Sequence, residues 1–273
     1  MLKIQKGENM IFESHAHYDD KQFDSDREEL LSSMKENGIG TIINVGSDLI
    51  ASQKTIALTE QYEFIYGAIG IHPSDIADLN EEVYHWLQEK SKLPKVVAIG
   101  EIGLDYYWDK EEEIKRNQRY WFCRQLELAR EVGLPVIIHS RDAAEDTLKL
   151  MQGIHAEQIP GVIHCFSYSL EMAKEYLKMG YYIGIGGVIT FKNAKKLKEV
   201  VAKIPLERIL LETDCPYLSP EPERGKRNSS KNLLYIAQEI ADIKKISCEE
   251  VIQVTRKNAE KLFSKTVFGK LVD

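Results

Sequence analysis

MIFESHAHYDD, residues 10–20, sets two histidines one alanine apart directly behind an apolar opening. In a strand, side chains at i and i+2 share a face, so His15 and His17 would reach one point in space. In a helix the same two rings would diverge by about half a turn. The apolar start, MIF, favours the strand. Two imidazoles converging on one point suit a metal ion; a pair of ordinary surface histidines is the plain alternative, and the rest of the chain decides between them.

Beyond residue 20 short apolar runs alternate with amphipathic stretches. GTIINVG, FIYGAIGIH, KVVAIGEIGL, LPVIIHS, GVIHCF, GYYIGIGG and RILLETD are rich in Val, Ile and Tyr, and many are bounded by Gly or Pro, as strands are. DREELLSSMKENG, NQRYWFCRQLELAREVG and SLEMAKEYLKMG have helix length and end at a glycine, a common helix stop. With MIFES this makes eight strands and about eight helices, which predicts a single-domain α/β fold, a (β/α)8 TIM barrel, over residues 10–265. An open doubly wound sheet would carry an early phosphate-binding glycine loop. GIGG at 184–187 falls late and has the wrong spacing, so it reads as strand-end turn chemistry. Residues 1–9, MLKIQKGEN, are polar and aperiodic and read as a flexible extension; 266–273 read as a C-terminal tail.

The chain has 273 residues, 43% hydrophobic and 29% charged, enough for a core that needs no covalent staples. A net charge of -7 argues against a non-specific coat for nucleic acid. It leaves nucleic acid open as an enzyme substrate, because bound metal ions reverse the field within a cleft. Cys123, Cys165, Cys215 and Cys248 lie far apart with no C-x-x-C pair, and no signal peptide is evident. Reduced thiols and a cytoplasmic protein are the expectation. No apolar run approaches a membrane span, and nothing in the pattern calls for an obligate protein partner.

Placed on the predicted barrel, the unusual residues gather. His15 and His17 belong to the first strand, Glu101 ends the fourth, His139 ends the fifth, His164 lies in the sixth and Asp214 ends the eighth. In a TIM barrel the C-terminal strand ends form the one face on which sites are built. A core histidine kept for packing explains one of these positions; it does not explain four histidines and two carboxylates in register. His85 and His155 sit apart, on helices or loops. A metal centre is the expectation.

FESHAH, GIHP, GEIGLDYY, PVIIHSRDA, GVIHCFS, GGVITFK and LLETDCPYLSP together resemble the TatD family of metal-dependent nucleases, among the amidohydrolase-like barrels. The resemblance covers the chain after Met10. It implies a divalent-metal hydrolase acting on DNA, a deoxyribonuclease, expected to work as an exonuclease on single-stranded or frayed ends. Two departures stand out. Glu13 replaces the aspartate usual before the first H-x-H, and RGKRNSSKN carries Ser229 and Ser230 where the family commonly has the Glu and Pro of N-E-P. A serine there can still cap the following helix.

The chemistry stands beside the resemblance. Phosphodiester hydrolysis needs an activated water and charge neutralisation at phosphorus, and two metals about 3.5–4 Å apart can supply both. Glu101, with two oxygens, is the candidate bridge, since no lysine follows GEIGLD until Lys110. His15, His17 and Asp214 would complete one ion, and His139 and His164 the other. Asp214 would also accept the proton of the attacking water, so Asp214 and Glu101 are the expected catalytic pair. Four imidazoles favour Zn, Mn, Fe or Ni over Mg. The resemblance points to Mg or Mn, so the two divalent ions are expected among Mg, Mn and Zn.

Substrate contacts are read from residues near these ligands. Arg141 offers a bidentate fork to a phosphate, or an ion pair to Asp142 or Asp105. His72 in GIHP would hydrogen-bond a phosphate, protonate a leaving oxygen, or simply precede a proline turn. Lys192 and the loop Arg224, Lys226 and Arg227 would attract a strand, although charged loops are commonly just solvated. Tyr106, Tyr107 and Trp108 would stack bases or cover the rim, with Tyr107 the expected contact. Cys165 and Cys215 adjoin ligands but lack an activating partner, so they read as packing residues. The alternative enzyme is a barrel hydrolase of a small-molecule lactone, amide or phosphoester. A non-enzymatic metal binder would have no use for a bridging carboxylate.

Overall fold

Residues 10–265 are described by the computed structural model, so the expected extension at 1–9 and tail at 266–273 lie outside the described residues. Eight strands follow one another as β1 (Ile11–Ala16), β2 (Ile39–Val45), β3 (Ile65–Ile69), β4 (Val96–Asp105), β5 (Val136–Arg141), β6 (Gly161–Ile163), β7 (Tyr182–Ile185) and β8 (Ile209–Leu211). Each pairs in parallel with the next in sequence. Helices α1 (Arg27–Ser32), α2 (Leu49–Gln61), α3 (Glu81–Lys90), α4 (Glu112–Val132), α5 (Ala144–Gly153), α6 (Leu170–Lys178) and α7 (Lys195–Lys203) connect them, and α8 (Leu233–Lys244) and α9 (Cys248–Leu262) follow β8. This is the predicted (β/α)8 barrel. Among the described residues no helix is long and apolar enough to cross a membrane.

The barrel interior is filled by its own strands. Phe12, Ile43, Tyr66, Val97, Ile137, Val162, Tyr182 and Leu210, one from each strand, form one apolar cluster with Ala259, Leu262 and Phe263. The end of α9 therefore stoppers the bottom of the barrel, with Phe263 stacked on Phe12 at 6.1 Å between ring centroids. Two residues further along the same strands come His139, His164 and Glu212. The period of two that buries Ile137, Val162 and Leu210 thus turns these polar side chains inward one level higher.

The outer layer follows helical spacing. On α4, Gln118, Trp121, Phe122, Gln125, Leu126 and Ala129 are the i, i+3, i+4, i+7, i+8, i+11 face and are buried, and Gly133 ends the helix in the left-handed region at φ 68°. The stretch expected as one helix over 26–38 is shorter. α1 stops at Ser32, and a 3-10 turn over Lys35–Asn37 leads to Gly38 at φ 80°. Ser33 turns its hydroxyl back to the Leu30 carbonyl at 2.7 Å, a side chain-to-backbone bond that competes with continuing the helix.

Phe263→Ala removes the stopper from a close-packed interior. The expected loss is about 3–5 kcal/mol, read from urea unfolding with an unchanged slope; a negligible shift in midpoint would show that the barrel floor does not depend on α9.

Candidate metal centre

Glu101 does not end its strand, as expected from sequence; it lies midway along β4, which continues to Asp105. Pairing with β5 slips between Ile99 and Ile102, where three residues of β4 advance against two of β5. Such a bulge re-aims a side chain, and here it sends Glu101 into the barrel. His17 stands one residue past β1, His164 one past β6 and Asp214 three past β8. All six expected ligands nevertheless converge.

Their contacts form two groups that share Glu101. On one side, His15 Nε2 lies 3.0 Å from His17 Nε2, 3.3 Å from Glu101 Oε2 and 3.7 Å from Asp214 Oδ1. His17 Nε2 lies 3.3 Å from Asp214 Oδ1 and 3.8 Å from Glu101 Oε2. On the other side, Glu101 Oε1 lies 2.8 Å from His139 Nδ1 and 2.7 Å from His164 Nε2. The two groups are not insulated from each other, because His15 and His164 stack with ring centroids 3.9 Å apart.

The donor set fits a cation. A four-coordinate ion with bonds of about 2.1 Å holds its ligand atoms about 3.4 Å apart, in the middle of the separations of the first group. Hydrogen bonds behind the rings set the tautomers the same way. His17 Nδ1 donates to the Val45 carbonyl at 2.7 Å, so Nε2 is the atom that faces the centre and binds an ion once its proton is displaced. His139 Nε2 donates to Asp105 Oδ2 at 3.2 Å, leaving Nδ1 toward Glu101. Asp105 is a residue that sequence reasoning missed as part of the site. Its position, four beyond Glu101 on the same strand face, was the available signal.

Two buried glutamines of α4 hold this side of the site. Gln118 accepts from the Asp105 backbone N–H at 3.0 Å and donates to its carbonyl at 3.1 Å. Gln125 does the same for Ile71, at 2.8 and 3.0 Å, directly before His72. Each amide replaces a missing sheet neighbour for backbone that would otherwise be buried without partners.

Charges in the centre depend on one another. Burial alone would pull His17 down, but the hydrogen bond and charge of Asp214 raise it to about 10. Burial likewise opposes His164, and Glu101 outweighs it, giving about 9. Burial would raise Glu101 and Asp214, yet the surrounding histidines hold both carboxylates below their usual range. His72 goes the other way: burial pushes it down to about 3, so the ring is neutral.

The centre opens into a cavity of about 500 Å³ lined by His17, His72, Glu101, His139, Arg141, His164 and Asp214, with Asp19, Asp75 and Tyr217 at its wall. His72 lies past β3 and caps a short 3-10 turn, its Nδ1 accepting from Ser74 N–H at 3.1 Å. Arg141 forms no ion pair with Asp142 or Asp105; its guanidinium lies over the Tyr107 ring at 3.9 Å. Tyr107 and Trp108 are exposed at the rim, and Tyr106 is tied to Asp146 at 2.9 Å. Lys192 is exposed and does not line the cavity. The basic loop is paired: Arg224 with Glu221, Lys226 with Glu223 and Arg227 with Asp26. Burial raises the thiol of Cys165 well above its usual range and that of Cys215 to about 12, so neither is a ready thiolate.

The serine cap expected at the α8 entrance is not formed. Ser229 makes no capping bond, and the Ser230 hydroxyl instead accepts from Tyr18 Oη at 2.8 Å. Tyr18, the residue after His17, outcompetes the helix end for that oxygen.

A barrel whose strand ends bring four imidazoles and two carboxylates to one cavity is the scaffold of a metal-dependent hydrolase. Residues 12–264 match the family described as TatD related DNase, and the chain belongs to that family. It is 47% identical over 254 residues to the uncharacterized metal-dependent hydrolase YabD of Bacillus subtilis, covering 93% of this chain and 99% of that one. With the uncharacterized metal-dependent hydrolase YcfH of Escherichia coli it shares 32% identity over 259 residues, 93% of this chain and 95% of the other. The crystal structure of the TatD homolog YjjV from Escherichia coli matches with a TM-score of 0.86 at 31% identity, covering 93% of this chain and 98% of that one.

Two outcomes are expected. Glu101→Gln keeps shape but removes the shared anion, so metal content measured on the purified protein should fall and hydrolysis should be lost; full occupancy would remove Glu101 from the ligand set. In chelator-treated protein His17 and His164 carry protons at neutral pH, because their pKa values lie above it. Metal uptake must expel these protons, so affinity rises with pH until it passes the two pKa values, about 9 and about 10, with acid released on binding at neutral pH. Calorimetry in buffers of different ionisation enthalpy measures that release, and finding none would contradict the charge assignment.

Proposed function

We propose that this chain hydrolyses phosphodiester bonds of DNA, working as an exonuclease on single-stranded or frayed ends with two divalent ions held at the shared carboxylate. The observation that carries the reading is that the two oxygens of Glu101 face different ligand groups, Oε2 toward His15 and His17 and Oε1 toward His139 and His164. Ions bound there would polarise a phosphoryl oxygen and acidify water. Their identity is among Mg, Mn and Zn, with the imidazole-rich set favouring the last two.

The chain's own groups supply the remaining chemistry. Asp214 lines the cavity and stays ionised, so it is placed to take the proton of the attacking water. His72 accepts at Nδ1 and therefore carries its proton on Nε2, 3.8 Å from Glu101 Oε1. It is a neutral donor aimed at the reacting centre, suited to a phosphate oxygen that gains charge in the transition state. Arg141 has its guanidinium face on Tyr107 and its N–H edges free of any carboxylate among the described residues, which suits bidentate capture of a phosphate. Tyr107 and Trp108 beside it offer exposed ring faces to unpaired bases. The cavity wall is otherwise acidic, with Asp19, Asp20 and Asp75, so a polyanion is attracted only once cations are in place. Free cysteines suit the cytoplasm, where we place the enzyme.

The test is metal-stripped protein, reloaded with single metals, on end-labelled single- and double-stranded oligonucleotides. A ladder of products shortening from one end is expected on single strands. Arg141→Ala should lower kcat/KM by roughly 10- to 100-fold, the worth of one charge-assisted contact, with metal content unchanged. Intact oligonucleotides alongside rapid turnover of a lactone or small phosphotriester would sink the DNA reading in favour of small-molecule hydrolysis.

A further inference from the structure

Glu212 is a fully buried carboxylate directly after β8, two residues before Asp214 and two after the core residue Leu210. The inward period of that strand therefore turns it into the barrel beneath the metal centre. Its Oε1 accepts from the Cys165 backbone N–H at 2.5 Å and lies 3.8 Å from His164 Nδ1. Both Glu212 Oε2 and His164 Nδ1 are buried without a hydrogen-bond partner. A buried Nδ1–H without a partner is costly, and a small shift toward the Glu212 carboxylate, whose nearer oxygen is 3.8 Å away, would satisfy it. The neighbouring strand makes room for the acid: a Cβ at Gly184 on β7 would stand 2.3 Å from Glu212 Oε2.

We propose that Glu212 is a positioning residue for His164: its carboxylate accepts a hydrogen bond from Nδ1–H and so keeps Nε2 as the atom turned toward Glu101 Oε1 and the second ion position. Asp105 stands in the same relation to His139 across the site, at 3.2 Å. Both imidazoles of the second group are thereby backed by a carboxylate, which fixes the tautomer and raises ligand basicity. The first group has no such backing, since His17 leans on the Val45 carbonyl. The two ion positions are thus built unequally, and the second depends on Glu212.

The inference rests on the two-ion reading of the centre, and the experiment separates the two. Chelator-treated wild-type protein is titrated with Co²⁺ or Zn²⁺. Uptake of fewer than two equivalents overturns the two-ion reading and the second position with it. Given two equivalents, Glu212→Gln keeps an acceptor for Cys165 N–H while removing the charge. It should weaken one equivalent by about 10- to 100-fold and leave the other unchanged. Cobalt-shifted ring signals of His139 and His164 should fade while those of His15 and His17 persist. A variant that binds both ions as tightly as wild type overturns the proposal. Zinc-loaded wild-type protein with ¹⁵N-labelled histidine gives an answer that needs no variant. His164 should show a metal-bound Nε2 and a protonated, exchange-protected Nδ1; a freely exchanging or metal-bound Nδ1 would refute the role.

Discussion

The seam between the first and last strands is the constraint on which the site depends. A sheet that pairs β1 to β8 in sequence order becomes a barrel only if its two edges meet, and here backbone pairing supplies one isolated bridge, Ala16 to Cys215. Side chains reinforce it. Ser14 donates to the Leu211 carbonyl at 2.9 Å, and Glu13 accepts from Thr213 N–H at 2.8 Å and from Thr213 Oγ1 at 2.6 Å. Asp214 N–H reaches the His15 carbonyl at 3.0 Å, and His17 N–H the Cys215 carbonyl at 2.8 Å. The residues stitched together are the ligands of the first group and their neighbours. Closing the barrel and assembling His15, His17 and Asp214 are one event.

That arrangement explains why a buried acid is tolerated at residue 13. Burial pushes the Glu13 carboxyl up to about 8, against hydrogen bonds from Thr213, Ser230 and the His15 backbone that hold it down. Removing one partner of such a network leaves a buried charge or donor uncompensated. Ser230 therefore serves the seam rather than the helix behind it. The same logic governs the centre above. Carboxylates and imidazoles alternate there, so each charge is countered at short range, but none is paired in a way that closes the site to a cation.

Much of this was legible in the sequence because strands and helices announce themselves by period. Eight apolar runs separated by amphipathic stretches allowed few architectures, and the spacing of His15 and His17 carried a geometric meaning as soon as MIF read as a strand. Convergence of residues more than a hundred positions apart followed from the barrel alone. What stayed hidden depends on local backbone irregularity or on competition between partners. No apolar pattern reveals the slip that puts Glu101 in mid-strand, and so Asp105, on the same face, went unread. Arg141 offered several acidic neighbours in sequence, yet its guanidinium settled on an aromatic ring. Arg224, Lys226 and Arg227 looked like a basic lure and proved to be neutralised by Glu221, Glu223 and Asp26. Sequence gives the charge of a residue; only the fold gives its partner.

The inward face of each strand, followed upward, gives a last reason for the division of labour. Apolar residues occupy the level against α9, where a rigid floor matters most. The next level holds His139, His164, Glu212 and the gap at Gly184, all behind or beside the second ligand group. Arg141 at the end of β5, and His72 and Asp214 on loops past their strand ends, stand higher and line the open cavity. Rigidity falls and access rises along one axis. Groups that must only hold a ligand in place lie deep, backed by carboxylates and by the two glutamines of α4. Groups that must meet a substrate and exchange protons with water lie at the mouth, where solvent can reach them.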